Sequence, residues 1–254
     1  MSDSGQIFGA AILGLGFGLF SFIMGLKSLF LKRMIENIPT SKMRSIAMGL
    51  VEVYGEVVPI RTMKSPFTNK DCVYYRYDIE EQHTDNKGRS YWVTIKRGET
   101  NMPFRLKDET DSVMVDCTGA NMNVKVDTVF ESGIGHDPPP QVLSFLKMNK
   151  IAHDSFIGFK KHMRYTEYFI EPGDKLYILG TAAENKGTVA GSRHTDNILI
   201  RKGENEKLFY ISDRSEKEIL SSLGWKVTLG VFGGAALTVG CLAFILFSLR
   251  FGLF

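Results

Sequence analysis

Two stretches without a single charged residue limit what this chain can become. Val227 to Leu249, VTLGVFGGAALTVGCLAFILFSL, is about 23 residues long and is bounded by Lys226 and Arg250. At a helical rise of about 1.5 Å per residue it covers the roughly 30 Å hydrocarbon core of a bilayer. Ile7 to Leu26, IFGAAILGLGFGLFSFIMGL, is about 20 residues long and is followed by Lys27, Lys32 and Arg33. Backbone in hydrocarbon must satisfy its own hydrogen bonds, so each stretch is expected to be a transmembrane helix. The implied layout is a tail at 1–6, a span at 7–31, a polar domain at 32–224, a second span at 225–249 and a tail at 250–254. MSDSGQ has no Lys or Arg, and the first apolar run exceeds a usual signal-peptide core, so it reads as an uncleaved anchor. Basic residues follow the first span (Lys27, Lys32, Arg33, Lys42, Arg44) and precede the second (Arg214, Lys217, Lys226), which places the domain on the cytoplasmic side.

The net charge of +3 over 254 residues is too weak for a nucleic-acid partner, and no basic block is interleaved with aromatics. The cysteines, Cys72, Cys117 and Cys241, form no CxxC pair, which excludes a ribbon or RING zinc site among them. The third lies in a span, leaving Cys72 and Cys117 as the only pair that could bridge.

Between the spans the pattern is mainly period two. CVYYRYDIEE puts Val73, Tyr75, Tyr77 and Ile79 on one face, against Tyr74, Arg76, Asp78 and Glu80 on a solvated one. TDNKG turns into YWVTIKR, with Tyr91, Val93 and Ile95 expected inward. Phe104 with Leu106, Val113 with Val115, and Val124 with Val126 mark three further short strands. RYTEYFIEPGDKLYILGTA reads as strand, Pro-Gly-Asp turn and strand, and ILIRKGENEKLFYIS as a hairpin turning at Gly203 and Asn205. AENKGTVAGSRHTDN between them reads as a polar loop. Helical signals are few. Thr40 or Ser41 could cap a helix ending at Gly49, QVLSFLKMN follows three prolines, and Ser215 with Glu218 has capping-box spacing ahead of EKEILSSLGW. The expected fold is a membrane protein in which two transmembrane helices flank a mainly antiparallel β domain, barrel- or sandwich-like, with a few short helices.

No catalytic, cofactor-binding or metal-binding residue is expected. The five histidines show no HxxxH or HExxH spacing, and His136-Asp137 and His153-Asp154 sit in or beside polar loops. Asp108, Glu109 and Asp111 form an acidic turn, and GLGFG lies inside a span, where it is packing glycine. The candidate site is one of helix packing: Gly14 and Gly18 in the first span, Gly230 and Gly234 in the second. Glycine at i and i+4 lets helix backbones approach closely, between the two spans or between copies.

The order TSKMRSIAMGLVEVYGEV, SPFTNKDCVYYRYDIEE, Trp92, FRLKDETDSVMVDCTGA and EPGDKLYILGTA, ending in a span, resembles the GIDE-domain family. The resemblance covers about Ile35 to Leu249, and its most telling parts are Gly49 to Val57, Ser65-Pro66, Cys72 to Tyr75, and Gly173-Asp174 to Gly180. Mitochondrial members are ubiquitin/SUMO ligases with a Beside-A-Membrane domain between two spans and a zinc-binding RING after the second. The resemblance therefore implies a ligase-like system, whereas this sequence ends at Phe254 and is expected to lack RING chemistry of its own. In those relatives the domain faces the intermembrane space, in tension with the cytoplasmic expectation above. The expected function is a non-catalytic interaction or self-assembly scaffold at the bilayer surface. Alternatives are a ligase subunit that borrows a RING and a membrane-remodelling or permeabilising effector. Expected partners are membrane lipid and either a second copy or another membrane-proximal protein. The expected membrane is the cell membrane in a prokaryote and the mitochondrial outer membrane in a eukaryote.

Overall fold

A computed structural model describes residues 3–133, 135–151, 161–185, 194–204 and 208–252. The chain divides into two compact units, Met1–Pro39 with Ser215–Phe254, and Thr40–Arg214. The first unit holds α1 (Asp3–Asn37), and α3 (Glu216–Val227), which passes through a π-helical turn, Thr228–Gly233, into α4 (Gly234–Phe251). Helix α3 starts as the spacing of Ser215 and Glu218 requires. The Ser215 hydroxyl accepts from the Glu218 amide, and the Glu218 carboxylate accepts from the Ser215 amide. Gln6–Asn37 and Glu216–Phe251 are both long and apolar enough to cross a membrane.

The second unit is β-rich. Its strands are β1 (Gly49–Pro59), β2 (Met63–Lys64), β3 (Asp71–Cys72), β4 (Tyr74–Thr84), β5 (Ser90–Asn101), β6 (Phe104–Lys107) and β7 (Ser112–Val115). After them come β8 (Asn121–Asn123), β9 (Thr128–Ser132), helix α2 (Pro140–Met148), β10 (Met163–Ile170), β11 (Lys175–Glu184), β12 (Ile198–Arg201) and β13 (Tyr210–Ser212). Strands β1, β6, β7, β12 and β11 form a five-stranded barrel, closed because β1 pairs with both β6 and β11. Every pairing around it is antiparallel except β12 with β7. Alternation fills its inside: Val53 lies opposite Ile178, Val57 opposite Leu106, and Phe104 opposite Val115, all buried in one core. A four-stranded sheet, β5-β4-β10-β9, packs its apolar face on α2. There Tyr77, Ile79, Met163 and Tyr165 meet Val142, Leu146 and Phe67. The observed fold is thus the expected class, two long apolar helices flanking a mostly antiparallel β domain.

Several local expectations fail for identifiable reasons. No α-helix follows Pro39, and only Met43–Ser45 forms a 3₁₀ turn. Its amides are taken elsewhere: Ser41 N–H donates to the Glu52 carbonyl, Met43 N–H to Asp108 Oδ2 and Arg44 N–H to Thr110 Oγ1. Asp78 is buried rather than solvated, held by Arg97 and lying 3.5 Å from Arg76, and Tyr74 on the same face is buried too. On β5, Tyr91 and Ile95 are exposed rather than inward. A bulge pairs Ile79 with Lys96 but Glu80 with Thr94, so Ile95 is the extra residue and the side-chain parity resets. Val124 and Val126 form no strand; Val126 is exposed, and β8 ends at Asn123. Strands β12 and β13 make no hairpin. Both pair with the same edge of β11, end to end, and Phe209 packs against Gly180 between the two pairings. Strands β7 and β8 break in step, each running parallel to its partner, β12 or β13. Asn205, His153-Asp154 and residues 186–193 of the polar loop lie outside the described residues.

Candidate functional site

Gly14, Gly18, Gly25, Gly230 and Gly234 of the two apolar helices line one antiparallel seam. A methyl group placed on Gly14 would lie 2.8 Å from the Cys241 sulfur, and one on Gly18 would lie 2.6 Å from Thr238 Oγ1 and 3.1 Å from the Gly234 carbonyl oxygen. On Gly234 it would meet the Phe22 amide nitrogen at 2.6 Å, and on Gly230 the Gly25 Cα at 2.6 Å. All four candidate glycines therefore face the partner helix of the same chain. Gly25 was not among them, yet it sits at the closest approach, where a methyl group would come within 2.5 Å of the Val231 nitrogen. Its signal is in the sequence, because Gly18 and Gly25 are seven residues apart and so share a helix face. The π turn at Thr228–Gly233 is what spacing could not reveal, since it inserts one wider turn exactly where the helices touch. Thr238 Oγ1 donates back to the Gly234 carbonyl at 2.8 Å, which satisfies the hydroxyl within its own helix.

In the β domain, the segments that carry the family resemblance pair with one another. Gly49 to Val57 is most of β1, and Gly173 to Gly180 is the turn and strand that close the barrel on it. Gly173 N–H donates to the Val57 carbonyl at 2.9 Å, and Val57 N–H to the Asp174 carbonyl at 2.8 Å. Gly173 has φ +92°, a conformation that glycine adopts without strain. Ser65-Pro66 opens a loop anchored on a fully buried carboxylate. Glu167 accepts from Phe67 N–H at 2.6 Å, Thr68 N–H at 3.1 Å and Thr68 Oγ1 at 2.5 Å. Phe67 is thereby fixed edge-on to Phe145 and Tyr165. Glu52, also buried, accepts from Tyr177 Oη at 2.5 Å and Thr40 Oγ1 at 2.6 Å. These carboxylates hold loops and strands in place, and each already has donors.

Elsewhere the chemistry is quiet. Among the described residues no three of His, Cys, Asp and Glu come together as a metal group. The acidic turn closes on itself: Asp108 Oδ1 accepts from Thr110 and Asp111 amides, and Glu109 pairs with Lys42. Cys72, Cys117 and Cys241 are free thiols, and burial pushes Cys72 and Cys117 up to about 12, far from a reactive thiolate. His136 bridges Gly133 through its backbone. One carboxyl is perturbed toward neutrality. Burial, and then the charges of Asp213, Asp174 and Glu171, push Asp127 up to about 6, partly offset by the Phe169 amide that donates to it at 2.8 Å.

Comparison with known proteins gives one positive result. No curated protein and no solved structure matches the chain. The family model named GIDE, described as an E3 ubiquitin ligase, matches residues 76–246, from β4 through β13 into α4 and so every barrel strand but β1. That is about two-thirds of the sequence, and the chain belongs to the GIDE family.

Proposed function

We propose that this protein is a membrane-anchored GIDE module, inserted through two spans, whose β domain works as an interaction platform at the bilayer surface within a ubiquitin-transfer system. The observation that carries this reading is the layout: a β unit, Thr40–Arg214, continuous in sequence at both ends with a helix long and apolar enough to cross a membrane. Such tethering confines the domain to a thin layer and raises its effective concentration toward anything else held there. The family description supplies the link to ubiquitin. The β domain itself is assigned no transfer chemistry, because a RING folds on zinc held by closely spaced Cys and His. These residues offer Cys72 and Cys117, separated and buried, and Cys241 in a helix. The basic residues that follow the first apolar run and precede the second favour a cytoplasmic β domain by the positive-inside rule.

The test is reconstitution. Purified protein in bilayer discs, with activating enzyme, conjugating enzyme and ubiquitin, is expected to give no transfer above the enzyme-only rate. Adding a membrane-held RING protein is expected to give more transfer than the RING alone. Stimulation by the pure protein would contradict the platform reading and establish a metal-independent recruiting surface.

A further inference from the structure

The helical unit has an apolar groove of about 700 Å³ beside the glycine seam. Its floor is backbone, because Gly25, Gly230, Gly233 and Gly234 carry no side chains, and its walls are Phe17, Phe20, Met24, Leu229 and Leu237. At one end stand Trp225 and Lys226. From Lys226 to Leu237 the groove runs about 11 residues, or roughly 16 Å, close to half the ~30 Å hydrocarbon thickness and so to one leaflet. Lys32 lies at the same end, 4.0 Å from where a methyl group on Gly224 would sit, and its carboxylate neighbour is Glu36 at 3.6 Å. An apolar trough one leaflet long with cations at its mouth has the charge and length complementary to one kind of molecule.

We infer that the groove holds an acyl chain of an anionic phospholipid, with the phosphate on Lys226 and Trp225 packed at the level of the headgroup. The inference rests on the reading that both helices cross the bilayer. It differs from a general lipid coat in being saturable and selective for headgroup charge. Gly233 offers a clean way to close the groove. It lines the trough, yet a methyl group there meets nothing within 4 Å, so Gly233→Leu fills the space without pressing on α1. Gly230→Leu would instead drive the helices apart.

The chain has two tryptophans, so a Trp92→Phe background leaves Trp225 as the single reporter. Reconstituted into phosphatidylcholine vesicles, its fluorescence is titrated with brominated phosphatidylglycerol or brominated phosphatidylcholine. Expected is half-maximal quenching by the anionic lipid at about five-fold lower mole fraction, the preference conferred by one lysine. Lys226→Gln should remove that difference, and Gly233→Leu should remove the saturable component with both lipids. Equal quenching by the two lipids in the unsubstituted protein overturns the inference, as does a preference that survives both substitutions. Loss of a cross-linked dimer in Gly233→Leu with lipid quenching unchanged assigns the groove to a second copy and also overturns it. Carbonate extraction of the same preparations separates the two levels. Release from the membrane sinks the spanning reading, whereas retention without headgroup preference sinks only the lipid site.

Discussion

Asp127 is the residue where protonation and folding are most visibly linked. Its folded value is raised to about 6, above the ordinary carboxylate value, so the folded state holds that proton more tightly than the unfolded chain. Acidification from pH 7 toward 5 should therefore stabilise the β domain through this group, and the gain should fade as pH rises through 6. Asp127→Asn keeps an acceptor for the Phe169 amide and removes the charge. The expected result is a higher Tm at pH 7.5 and a smaller difference from the parent at pH 5, read by thermal unfolding. Packing gives a second test. Tyr77→Ala should cost about 3–5 kcal/mol, because the ring is buried against Phe67 and Phe145 and lies over Gly98. Asp78→Ala should cost about 1–3 kcal/mol by freeing Arg97 and Arg76, where a solvated residue would move stability by no more than about 0.5. Denaturant titration distinguishes these. The period-two pattern identified Tyr77 and Ile79 correctly. It missed Asp78 because a carboxylate paired with arginine across the sheet can be buried, and alternation alone does not register the partner.

At the scale of elements, strands that carry apolar alternation along most of their length were legible: β1, β6, β7 and β11 fall where Val, Leu, Ile or Phe recur at alternate positions. Those that break were not. The bulge at Ile95, the split of one barrel edge into β12 and β13, and the matching split of β7 from β8 are set by partners far away in sequence. The short helix expected after Pro39 lost to strand β1 and the Asp108 turn, which take its amides. The glycine seam was half legible. Gly14, Gly18, Gly230 and Gly234 stand on it, whereas Gly25 and the π turn complete it. Helix contact can be tested by substitution series. Gly25→Leu and Gly230→Leu should each destabilise the hairpin by about 1–3 kcal/mol or more, since the added side chains meet backbone. Gly9→Leu and Gly16→Leu, where nothing lies within 4 Å, should be neutral. Engineered cross-linking between the helices in detergent reads the difference, and equal behaviour of all four would show that the seam does not hold the pair.

At the scale of the whole molecule, two apolar helices at the ends of the sequence bracket a β domain that has a barrel core of its own and a second core under α2. That layout, with two helices long and apolar enough to cross a membrane, is what supports the proposed membrane anchor. The layout was readable from charge-free length alone, whereas closure of the barrel needed the pairing of β1 with β11, about 120 residues apart. The most direct test of the membrane-anchored reading is the sidedness of single cysteines. Cys72 and Cys117 are buried with thiols pushed up to about 12, and Cys241 is replaced by Ser, so background labelling by a charged maleimide is low. Lys87→Cys, in the exposed turn between β4 and β5, and Ser4→Cys, at the start of α1, are introduced separately in sealed, uniformly oriented vesicles. Two crossings place Lys87→Cys on one face and Ser4→Cys on the other, with the β-domain site labelled only from the cytoplasmic side. Labelling of both sites from the same face would contradict the two-span anchor.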